Sequence, residues 1–112
     1  MKTEDIQQDV FESFEIDAQL LPALTNEEEK FQAFRKLLIE RIEELAEKNM
    51  EKLMWLLYRI DVSEKKLHEI LKQTPPENFS SVIADMIIER QIQKAKSRKE
   101  FGGKENDWNF DI

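Results

Sequence analysis

A chain of 112 residues with only two glycines, three prolines and 37% charged residues reads as one helical domain, long enough for a core of its own. With no cysteine it can build no disulfide, zinc–thiolate or iron–sulfur site within one chain. The net charge of -7 is uneven: residues 1–30 hold two lysines against nine acids, whereas residues 31–100 hold fourteen lysines and arginines against twelve acids, so uniform attraction to nucleic acid is not expected.

The first predicted helix runs from Thr3 to Glu15. Ile6, Val10 and Phe14 recur at i, i+4 and i+8, Phe11 widens the stripe, and the opposite face is acidic. The segment lacks the basic start and apolar run of a signal peptide, which together with the missing cysteines leads us to expect a cytoplasmic protein. Leu21 precedes Pro22 and is biased to extended backbone, so residues 17–24 are read as a linker.

Thr25 and Asn26 then open a second helix, with Thr25…Glu28 and Asn26…Glu29 both at capping-box spacing. Phe31, Phe34, Leu38, Ile42 and Leu45 line one face up to Lys48. The acids Glu40, Glu43, Glu44 and Glu47 read as a solvated face with i,i+4 partners such as Glu44…Lys48. A di-iron bundle needs two Glu-x-x-His pairs, but His68 is the only histidine and Lys65 stands three residues before it. There is also no glycine-turned calcium loop. The expected metal and cofactor content is therefore none.

Asn49 marks a break, and a third helix is predicted over Met50–Ile60. Its segment Leu53-Met54-Trp55-Leu56-Leu57-Tyr58 is apolar on every side of a helix, so we expect it to be covered all round at the centre of the bundle. It is far too short to cross a bilayer. Asp61 and Ser63 offer caps to a short helix over Glu64–Gln73, with Leu67, Ile70 and Leu71 inward and His68 a half-exposed structural residue. Thr74-Pro75-Pro76 stops it.

A last helix, capped by Asn78 or Ser80, continues to about Phe101, and Gly102-Gly103 ends it. It has two apolar faces. Phe79, Val82, Ile83, Met86 and Ile87 lie on one side, and Ile88, Ile92 and Ala95 lie roughly opposite. The second face is covered either by the first helix of the same chain or by a symmetry mate, in which case Ile88 and Ile92 form a homodimer contact. Arg90, Lys94, Lys96, Arg98 and Lys99 form a basic stretch. It stabilises the helix C-terminus, holds the chain's own acidic N-terminal segment, or meets an acidic partner.

The acidic tail after Gly103 carries Trp108, Phe110 and Ile112 in alternation. In an extended segment they share one edge, which suits docking to a partner. In physical logic this is similar to the acidic-aromatic tails by which bacterial single-stranded-DNA-binding proteins recruit partners. The other reading folds Trp108 and Phe110 back on the bundle. The expected organisation is thus an N-terminal acidic helix and linker (1–24), a helical core (25–101) and a C-terminal tail (102–112).

The runs Leu53-Met54-Trp55-Leu56-Leu57-Tyr58-Arg59-Ile60-Asp61-Val62 and Ile83-Ala84-Asp85-Met86-Ile87-Ile88-Glu89-Arg90-Gln91 resemble a family of small, uncharacterised bacterial all-helical proteins. The resemblance implies a compact helical fold in a cytosolic bacterial protein and carries over no substrate or catalytic residue. Within these runs Arg59, Asp61, Asp85, Glu89 and Arg90 stand beside strongly apolar neighbours. Their expected role is a partly buried ion-pair network that sets helix register; a polar pocket is the alternative.

Taken together, these features predict an all-α bundle of about four to five helices with a central apolar helix and an acidic aromatic tail. The expected function is a non-enzymatic protein–protein interaction module or complex subunit. The alternative is a nucleic-acid-associated regulator, in which the Glu64–Gln73 helix and the last helix form a divergent helix-turn-helix. Its turn is longer than the usual three or four residues.

Overall fold

A computed structural model describes residues 2–101. Its five helices are α1 (Glu4–Phe14), α2 (Glu27–Lys48), α3 (Met50–Ile60), α4 (Glu64–Lys72) and α5 (Phe79–Phe101). Short 3-10 turns at Ala18–Leu20 and Pro76–Asn78 join them, and no strand occurs among the described residues. The chain is thus an all-α bundle.

Side chains close the helix ends as their types suggest. Asn26 accepts from the Glu29 amide at 3.0 Å, placing three glutamates in the first turn of α2 where the helix dipole favours them. Asn49 ends α2 and also caps α3, accepting from the Lys52 amide at 3.1 Å. Ser63, rather than Asp61, caps α4. Asp61 instead terminates α3 in the left-handed region (φ 71°), its amide bonded to the Leu57 and Tyr58 carbonyls. Aspartate tolerates this conformation better than most residues with a Cβ.

One apolar cluster runs through the molecule. Phe14, Phe34, Leu38, Ile42, Leu53, Leu56 and Ile87 are its largest fully buried side chains. Its hub is α5, which packs against α1, α2, α3 and α4, while α2 packs against α5 and α3. On α5 the buried residues Ile83, Ala84, Met86, Ile87, Ile88, Gln91 and Ala95 span an arc of about 200°, just over half the circumference, at 100° per residue. The widest buried arc therefore belongs to this helix, with Asp85, Glu89 and Gln93 on its exposed side.

That finding corrects the expectation for α3. It buries Leu53, Leu56, Leu57 and Ile60, but Trp55 is 54% exposed and Tyr58 81% exposed, with Met50 and Met54 beside them. The physical reason is position. An eleven-residue helix at the rim of the bundle is met by α2 and α5 from one side only.

α1 belongs to the same core. Ile6, Val10, Phe11 and Phe14 are buried, and Phe11 meets Phe34 of α2 edge-on with ring centroids 5.5 Å apart. Its acids are answered by cations of the body. Lys30 pairs with Glu4 at 3.2 Å, Arg98 with Asp9 at 3.8 Å, and Lys52 with Glu15. Both helix ends are also tied: the Thr3 amide donates to the Glu27 carboxylate at 2.9 Å, and Arg41 Nε donates to the Phe14 carbonyl at 2.7 Å. The acidic first thirty residues and the more basic body are thus two halves of one docking arrangement.

Candidate protein interface

The second apolar face of α5 is closed within the chain. Ile88 is 4% exposed, and Ile92 is half-buried at a depression that Thr3, Ile6 and Phe31 also line. Of the two covers expected for this face, α1 of the same chain is the one found. Trp108, Phe110 and Ile112 lie outside the described residues.

The charged residues singled out in the sequence separate into distinct contacts. Arg90 reaches Asp61 at 3.0 Å and so ties the α3–α4 corner to α5, as the expected network required. Glu89 meets Lys66 of α4 at 3.7 Å. Asp85 turns instead to α2, where Arg35 grips it with two hydrogen bonds of 2.7 and 3.1 Å. This charge-assisted pair pushes the Arg35 guanidinium further above its ordinary range. Arg59 joins none of these; its guanidinium sits 5.4 Å above the Trp55 ring. The single network expected is therefore three separate clasps and one cation–π contact.

Asp61, Ser63, Lys66, Glu89, Arg90 and Gln93 line an open depression of about 320 Å³. Its acids and bases are matched to each other, Asp61 with Arg90 and Glu89 with Lys66, so the arrangement locks three elements together. His68 is exposed and lies outside it. Among the described residues no group of three or more histidine, aspartate or glutamate side chains is arranged to hold a metal ion, and no helix is long and apolar enough to cross a membrane.

The basic stretch of α5 is partly engaged by the chain itself. Arg90 and Arg98 hold Asp61 and Asp9, the second being the acidic N-terminal contact foreseen for this stretch. Burial, reinforced by the nearby Arg90 charge, pushes the Lys94 ammonium below its ordinary range.

What remains open is the outer face of α3. Glu51, Met54, Trp55 and Tyr58 follow the i, i+3, i+4, i+7 spacing of one helix face, with Met50 and Arg59 at its edges. All six are exposed. Methionine and aromatic side chains are over-represented at the centres of protein interfaces: aromatic rings bury large area with few rotamers to freeze, and methionine adapts its shape to the partner. Sequence reasoning missed this face because it treated the apolar run as a unit. The available signal was Glu51 and Arg59. At 100° per residue they fall next to Tyr58 and Trp55, and charges on that arc mark it as the outer one.

Comparison with known proteins found no matching family model, no matching curated protein and no matching solved structure.

Proposed function

We propose that this chain is a non-enzymatic interaction module, a subunit or adaptor of the cytoplasm, that docks through the outer face of α3. The observation that carries the reading is the uncovered Met50, Met54, Trp55 and Tyr58 on a helix whose other face is core. A free-standing domain gains nothing by exposing a tryptophan, a tyrosine and two methionines together, and contiguous apolar patches of this kind mark contact surfaces. Partners of acidic or mixed charge fit this face better than nucleic acid, since Arg59 is its only cation apart from the edge residue Lys52, which already holds Glu15. The C-terminal segment with Trp108, Phe110 and Ile112 supplies a second recruiting element in the same scheme.

The test is site-specific photo-crosslinking in cells, with the reactive residue at position 58 and, as control, at exposed position 69 on α4. The reading expects discrete adducts from position 58 that vanish in a Trp55→Glu background and do not form from position 69. Identical adducts from both positions, or none from position 58, would overturn it.

A further inference from the structure

We infer that the occupant of the α3 face is a second copy of this chain, paired helix to helix in antiparallel fashion about a two-fold axis passing between Met54 and Trp55. The inference rests on the reading of α3 as the docking face and names its partner. Glu51, Met54, Trp55 and Tyr58 are placed symmetrically about that axis. Turning one copy onto the other sets Met54 against Trp55 of the second copy and Glu51 against its Tyr58 hydroxyl. A methionine sulfur against an indole ring is a favourable contact, and a carboxylate accepting a phenolic O–H is a charge-assisted hydrogen bond.

Charge supports the same arrangement. The face carries one acid toward its N-terminal end and one base toward its C-terminal end, and neither Glu51 nor Arg59 enters an ion pair among the described residues. Antiparallel pairing brings Glu51 within one residue, about 1.5 Å of axial rise, of facing Arg59 of the second copy. Parallel pairing would instead set acid against acid and base against base, and would also align the helix dipoles unfavourably. Such a self-complementary pattern is what an isologous two-fold contact requires. The α5 face offers nothing comparable, because α1 fills it. The patch is one face of an eleven-residue helix, so the dimer is weak and concentration-dependent.

Sedimentation equilibrium on the purified full chain over a wide concentration range tests this, with circular dichroism confirming that each variant is folded. The wild type is expected to move from monomer toward dimer. Arg59→Glu and Glu51→Arg, each of which sets like charges across the axis, are expected to weaken association about tenfold. The double variant Glu51→Arg/Arg59→Glu is expected to restore it. A wild type that stays monomeric at every concentration, single swaps without effect, or a double swap that fails to rescue would each overturn the second copy as occupant. If the photo-crosslinks from position 58 then join a different protein, α3 stands as a docking face with another partner; if they are absent as well, both readings fall.

Discussion

The face of α5 that carries Ile88, Ile92 and Ala95 and the face of α3 that carries Met50, Met54, Trp55 and Tyr58 are both apolar, yet the first lies under α1 and the second lies open. Composition does not separate them. What separates them is a set of anchors. The α1 helix is acidic, and the body offers Lys30, Lys52 and Arg98 for its carboxylates and Arg41 for its last carbonyl, at positions that lay it across α5. Each exposed pair contributes little alone, but together they select one site for a helix whose attachment is driven by burying Ile6, Val10, Phe11 and Phe14. No element of the chain among the described residues is left to do the same for α3.

Emptying the covered side has the largest expected effect. Phe14→Ala is expected to cost about 3–5 kcal/mol in chemical denaturation, because a fully buried ring leaves a cavity between α1 and the body. Trp55→Ala on the open side should stay within about 0.5 kcal/mol at low protein concentration, losing little beyond an exposed cation–π contact. Equal losses at the two positions would mean that α3 is covered after all.

A smaller effect is expected from the helix starts. Asn26→Ala removes the acceptor for the Glu29 amide and should destabilise by about 1 kcal/mol, measured the same way. The effect should reach α1, since Glu27, one residue on, holds the Thr3 amide. Fraying there should raise hydrogen exchange in α1 before it does so in α3.

The smallest effect is a pH dependence. Lys52 holds the Glu15 carboxyl below the usual carboxylate range, first through its hydrogen bond and then through its charge, with Arg41 adding to the second. A carboxylate whose folded pKa is depressed stabilises the fold above its unfolded pKa, and that contribution is lost as pH falls through the folded value. Glu15→Gln should therefore be slightly less stable than wild type near neutrality and indistinguishable from it in strong acid. A difference that persists in acid would detach the effect from this ion pair.

Much of this was legible one residue at a time. The starts of α2 and α3 followed from Asn26 and Asn49, because capping is local chemistry between a side chain and the amide three residues on. The Asp61–Arg90 clasp was anticipated from charges beside apolar runs, but Arg35 as the partner of Asp85 was not, since those two are fifty positions apart and no local pattern links them. Gln91 was missed because its side chain is polar and only the packing of whole helices buries it: it is 2% exposed and its Oε1 has no hydrogen-bond partner.

By itself, then, the sequence determined the all-α class, the helix ends, the apolar stripes and the acidic character of the N-terminal segment, all of which depend on spacing over a few residues. Only the tertiary structure decided which of two apolar helices becomes the hub, which apolar face α1 covers and which stays bare. Those outcomes depend on where whole helices come to rest, and a helix that is apolar all round in its sequence is buried all round only if the chain supplies neighbours on every side.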